Sequence, residues 1–91
     1  MPKEPELTDV DVYAEDFPDR MTVLSYDLRF SIQKGQRARL IFPVFNKKGW
    51  VIMVGRMDGG FVGDLLEDLG EGLIKGDRIF FQARHIWDMR D

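Results

Sequence analysis

The sequence predicts a small, mainly β fold: a curved antiparallel sheet or a small barrel of the SH3-like or OB-like sort, carrying an N-terminal arm. Three observations predict it. Roughly the last forty residues form one continuous meander of short apolar runs separated by glycine-bearing turns. No segment carries the sustained 3.6-residue periodicity of a long helix. Ninety-one residues with seven Phe, two Trp and two Tyr suffice for one modest core. Residues 1–20 read as an acidic arm and residues 21–91 as a single β domain.

Pro2, Pro5 and Pro18 punctuate the arm. Its first few residues are expected to fray, with an edge strand over residues 8–13. Residues 21–32 read as the clearest strand: Thr22, Leu24, Tyr26, Leu28, Phe30 and Ile32 on one face, Ser25, Asp27, Arg29 and Ser31 on the other. Lys34-Gly35 turns the chain, and Ala38, Leu40, Phe42 and Val44 continue an apolar face in a second strand. Pro43 donates no ladder hydrogen bond, so that strand is an edge there or is bulged. Residues 46–49 are the next hairpin loop, with Gly49 at its left-handed position.

Residues 50–57 form a strand in which Trp50, Ile52 and Val54 alternate with Val51 and Met53. The set containing Trp50 is read as the core face, with the indole as its anchor. Asp58-Gly59-Gly60 is a turn, and residues 61–66 are a short strand. Residues 67–72 are too short and glycine-bounded for a stable helix, so one helical turn or an irregular loop is expected. Lys75-Gly76-Asp77 turns into a strand over residues 78–83, with Ile79, Phe81 and Ala83 inward. Residues 85–89 close the chain as a 3₁₀ turn or short strand. The stretch Lys34-Gly35-Gln36-Arg37 echoes Lys75-Gly76-Asp77-Arg78, which is shared turn chemistry at a strand entry rather than a repeat.

Composition excludes several chemistries. With no cysteine, disulfides, thiolate catalysis and thiolate-held metals are out, and a small domain without such a staple suggests a cytoplasmic protein. No apolar run reaches the roughly 20 residues that span a bilayer, so no membrane partner is expected. His85 is the one histidine, so any general base or histidine-held metal rests on it, with Asp88 three residues on to orient it. A packed or hydrogen-bonded His85 is the reading adopted. Asp64, Glu67, Asp68 and Glu71 lack the ligand spacing of a calcium loop, and neither Lys-Gly pair has the spacing of a phosphate loop. No cofactor and no metal are expected.

Charge is segregated. Residues 1–20 hold seven acids against Lys3 and Arg20, a net of −5. Residues 33–56 hold six bases and no acid, a net of +6, and residues 58–77 hold six acids against Lys75, a net of −5. Arg37, Arg39, Lys47 and Lys48 interleave with Phe42, Phe45 and Trp50, the pattern by which small barrels hold single strands. Phe45, beside the loop, is the aromatic expected to be exposed. The acidic overall charge of −3 weighs against nucleic acid.

From about residue 37 to 90 the chain resembles the uncharacterised bacterial YegJ-like family of domains of unknown function. The matching stretches are Phe42-Pro43-Val44-Phe45, Trp50-Val51-Ile52-Met53-Val54, Gly59-Gly60-Phe61-Val62-Gly63, Ile74-Lys75-Gly76-Asp77-Arg78-Ile79 and Ile86-Trp87-Asp88-Met89. Met89 stands where that family more often has Trp, and residues 1–36 do not share its pattern. The resemblance implies no known activity. Some related families are immunity proteins against bacterial toxins, which implies a protein-binding inhibitor.

The functional expectation is a non-enzymatic protein-interaction module, an inhibitor or immunity-like factor that docks a charged partner. Its expected surface is a basic pole of Arg37, Arg39, Phe45, Lys47 and Lys48 and an acidic pole of Asp64, Glu67 and Asp68. On this view the arm contributes little to stability; the other view has it docked over the basic strands. The alternative function is a small-barrel binder of single-stranded nucleic acid.

Overall fold

Strands form where short apolar alternation is bounded by turns. In the computed structural model, which describes residues 1–20 and 22–91, β1 (Arg37–Phe42) turns Ala38, Leu40 and Phe42 inward and Arg37, Arg39 and Ile41 outward. Then come β2 (Lys47–Met57), β3 (Gly60–Leu65), β4 (Arg78–Phe81) and β5 (Ile86–Arg90). The first four make an antiparallel meander. β5 returns to pair with β1, so the sheet order is β4-β3-β2-β1-β5. This is the mainly β architecture expected, as one five-stranded sheet that is not closed.

The Lys-Gly turns do alike work. Gly35 and Gly76 both hold positive φ, at 92° and 93°. Their amides donate to the Met53 and Leu65 carbonyls, each at 2.8 Å, so each turn is stitched to a neighbouring strand. The chain between β1 and β2 differs from expectation. β1 stops at Phe42 because Pro43 starts a 3₁₀ turn, Pro43–Phe45, which leaves Val44 exposed. The left-handed residue is Asn46 (φ 50°), not Gly49. Gly49 lies within β2 for a different reason: a Cβ there would meet the Leu69 and Phe42 side chains at 3.1 and 3.2 Å.

The core face of β2 is also the reverse of the one read from sequence. Val51 and Met53 are buried, and Trp50, Ile52 and Val54 lie half-buried on the outer face. Both faces are apolar, so alternation alone leaves the choice open. Register decides it: Ala38 and Leu40 stand opposite Val51 and Gly49, which places the odd-numbered residues of β2 inward.

The expected strand over residues 21–32 is not formed. Met21 lies outside the described residues, and Tyr26–Phe30 is a short helix, α2. Ser25 caps it, its Oγ accepting from the Leu28 amide at 3.3 Å, with Asp27 in the first turn. Tyr26, Leu28 and Phe30 are about half exposed, and only Ile32 of the expected apolar face joins the core. The side chain that matters is Arg29, 2% exposed. Its Nε donates to the Leu24 carbonyl at 2.9 Å, Nη1 to the Ala83 carbonyl at 2.9 Å, and Nη2 to Asp11 Oδ1 at 2.8 Å.

The arm is docked. Lys3 forms a parallel bridge on the free edge of β4, its amide donating to Arg78 and its carbonyl accepting from Phe80, each at 2.8 Å. The Thr8 amide then donates to the Ile41 carbonyl of β1 at 3.1 Å. Residues 3–8 therefore run from one edge strand across to the other side of the sheet. The edge strand expected over residues 8–13 is instead the start of α1 (Val10–Asp16). Asp9 caps this helix, accepting from the Asp11 and Val12 amides at 3.0 and 3.2 Å. Val10 is fully buried, and Asp11 faces Arg29.

Candidate functional site

Basic side chains converge where α1 lies beside the β1–β2 turn. Register sets the geometry. Arg39 on β1 stands opposite Trp50 on β2, so both project from the outer face. On the other flank the β1–β5 pairing slips between Arg39, opposite Asp88, and Leu40, opposite Ile86. Trp87 is the extra residue of this bulge, and its ring comes beside Arg39. The Arg39 guanidinium carbon lies 5.1 Å from the Trp87 ring centroid and 5.6 Å from that of Trp50. Lys48 Nζ sits 3.9 Å from the Trp87 centroid, and the Arg90 guanidinium 5.9 Å from the Trp50 centroid. The result is an alternating ladder of cations and indoles across three strands.

Beside it opens a groove of about 520 Å³. Arg20, Arg39, Lys47 and Lys48 line it together with Thr8, Tyr13, Asn46 and Trp87, and no carboxylate is among the described lining residues. None of the four cations takes part in an ion pair among the described residues. Arg20 is 5.3 Å from the Phe17 ring, and Lys47 Nζ donates to the Leu69 carbonyl at 3.1 Å. These charges are positioned by aromatic rings and a carbonyl rather than neutralised by acids.

Of the residues expected to form the basic pole, Arg39, Lys47 and Lys48 meet here. Arg37 points from the same sheet face but bonds the Asp91 carbonyl at 2.8 Å, away from the groove. Phe45 is not the exposed aromatic. It is half-buried against the core, and a Cβ on Gly70 would stand 2.6 Å from its ring, so the two fit together only because Gly70 has no side chain.

Of the expected acidic pole, Glu67 and Asp68 are exposed and Asp64 is half-buried. Asp64 is paired with Arg78 at 2.9 Å, which raises the arginine pKa further, and Asp68 accepts from the Lys75 amide at 2.8 Å to fix the turn. Asp77, whose carboxyl is held below the usual range chiefly by its hydrogen bond from Lys3 and then by the Ile74 amide, ties down the arm.

His85 follows the packed reading. It ends the 3₁₀ turn Ala83–His85, and its Nδ1 accepts from the Gln82 amide at 3.0 Å. Burial, reinforced by the Arg84 charge and opposed by Asp9, lowers its pKa to about 4. Asp88 is engaged elsewhere, accepting from the Met89 amide at 2.8 Å and standing 3.6 Å from Arg90. No group of three or more potential metal ligands occurs among the described residues. No described helix is long and apolar enough to cross a membrane.

Trp87, Tyr13 and Arg20 are groove residues that sequence reasoning missed. Trp87 had no signal, because the bulge that turns it toward Arg39 depends on β1–β5 register. Comparison with known protein families, curated proteins and solved structures finds no significant match.

Proposed function

We propose that this chain is a non-enzymatic binding module that docks an acidic segment of a partner protein in the groove between α1 and the outer face of β1, β2 and β5. The observation that carries the reading is the set of four unneutralised cations, Arg20, Arg39, Lys47 and Lys48, in one groove without a described carboxylate. A concave patch of one sign concentrates and steers a partner of the other. The neutral His85, with Nδ1 occupied and Asp88 engaged elsewhere, supports a binding rather than an acid–base role.

We further read the sheet as an SH3-like barrel. Its strand order, the 3₁₀ turn before the last strand, and residues 3–8 crossing from the β4 edge to β1 support this. An inhibitor of the immunity type fits within the proposed class.

One observation weighs between an acidic protein segment and single-stranded nucleic acid. Base stacking needs an open aromatic face. Trp87 has Lys48 and Arg39 over it, and Trp50 has Arg39 and Arg90, so a base must displace a cation to stack. Acidic side chains meet those same cations directly. The test is titration of intrinsic fluorescence, since both tryptophans of the chain lie on this ladder. An acetyl-capped hexaglutamate peptide is expected to bind in a salt-sensitive manner, and Lys48→Glu to weaken it about tenfold or more. Tighter binding of a mixed-sequence oligonucleotide at the same salt overturns the preference for protein, and no response to either ligand overturns the groove reading.

A further inference from the structure

We infer that Arg39 is the specificity residue of this groove, gripping one carboxylate of the acidic segment through the edge of its guanidinium; the inference rests on the acidic-segment reading above. Arg39 Nε is the one buried side-chain nitrogen or oxygen without a hydrogen-bond partner among the described residues. A buried donor left unpaired carries a free-energy penalty, and one attached to a charge carries a larger one. The neighbouring indoles offset part of the charge cost, at 5.1 and 5.6 Å from the guanidinium carbon, but a ring face offers nothing to the in-plane N–H groups. The Nε donor is thus held in place and unsatisfied.

A carboxylate suits it in shape. Guanidinium presents parallel N–H bonds that match the two oxygens of a planar carboxylate, whereas lysine offers only a point charge. Because Nε is shut off from water in the free groove, something must move to admit the ligand. The flexible chain of Lys48, lying over Trp87, is the part that gives way. As it swings off the indole it becomes a second partner for the same carboxylate. Arg20 and Lys47 face the remaining acids of the segment. Binding therefore alters the surroundings of Trp87 directly.

The experiment compares the full-length wild type with Arg39→Lys, Arg39→Gln and Lys75→Arg by tryptophan fluorescence, using acetyl-capped hexaglutamate as the probe and inorganic phosphate as a competitor at matched ionic strength. Urea midpoints confirm that each variant is folded. Arg39→Lys keeps the charge and loses the fork, so its affinity is expected to fall tenfold or more, close to that of Arg39→Gln. Lys75→Arg, a charge-preserving change at an exposed lysine outside the groove, is expected to stay within about twofold of wild type. If wild type binds and Arg39→Lys binds within twofold of it, the fork is wrong while the groove reading stands. If inorganic phosphate displaces the peptide at equal concentration, the site takes any oxyanion and the carboxylate assignment is overturned. If wild type itself does not bind, both readings fall.

Discussion

Replacing Arg29 by Met isolates what the buried guanidinium does for the fold, because methionine keeps much of the apolar stem and removes every donor. Three losses follow. The Ala83 carbonyl, 2.9 Å from Nη1 in a buried setting, loses its charged donor, which costs about 1–3 kcal/mol. The Leu24 carbonyl, 2.9 Å from Nε and part-buried, adds about 1 kcal/mol. The Asp11 pair contributes less than its 2.8 Å distance suggests, because that carboxylate is 47% exposed and solvent screens it to about 1 kcal/mol or below. Together these give about 3 kcal/mol, a large share of the roughly 5–14 kcal/mol that a domain of this size holds. The melting temperature falls by about 12–24 °C in consequence. Urea unfolding followed by circular dichroism and tryptophan fluorescence measures it, with an unchanged m-value expected. Asp11→Asn serves as the partner experiment, with a loss of about 1 kcal/mol or less that shrinks in salt. An Arg29→Met protein within about 1 kcal/mol of wild type would refute the reasoning, since the carbonyls would then be satisfied without the guanidinium.

Three further outcomes are expected. Removal of residues 1–16 should lower the melting temperature by more than about 10 °C, because it strips Val10 from the core, the Lys3 bridge from β4 and Asp11 from Arg29; a shift of only a few degrees would mean the arm is not part of the fold. Trp50→Ala should cost about 1–2 kcal/mol in urea unfolding rather than the roughly 3–5 kcal/mol of a core tryptophan, since the indole is half-buried on the outer face. His85 should titrate near pH 4 by NMR, below its ordinary 6.5. The unfolded chain then binds more protons between those values, so the stability His85 contributes is complete above about pH 6.5 and lost as pH falls toward 4. His85→Gln should flatten stability across that window, and a histidine titrating near 6.5 would sink the assignment.

The meander was legible in the sequence because its turns are chemical: Asp58-Gly59-Gly60 and Lys75-Gly76-Asp77 admit few backbones, and β2, β3 and β4 lie between and beside them. Two kinds of information were not legible. One is the choice of face in β2, where Trp50-Val51-Ile52-Met53-Val54 is apolar on both sides and only pairing with Ala38 and Leu40 decides. The other is the competition between a period-2 pattern and a cap. Residues 22–32 alternate well, yet Ser25 caps a helical turn and Arg29 finds buried carbonyls that a strand would not offer it. Ser25 and Asp9 start helices through local side-chain hydrogen bonds, which a period-2 pattern does not register. In the groove, Arg39, Lys47 and Lys48 stood out as a run of charge without acids. Trp87, Tyr13 and Arg20 join them through tertiary packing, which no local pattern encodes.

Lys3 leaves the ribosome long before the residues it binds. Its ammonium meets Asp77 across a sequence separation of 74 residues, and its backbone meets Arg78 and Phe80. Closing so long a loop costs only about 2 kcal/mol more than closing a hairpin, so the bond survives at equilibrium. The delay is kinetic: non-local pairing is slow, and this one has no partner until β4 has been synthesised. The earlier-made segment therefore docks late, and the β4 edge stands open to other chains until it does.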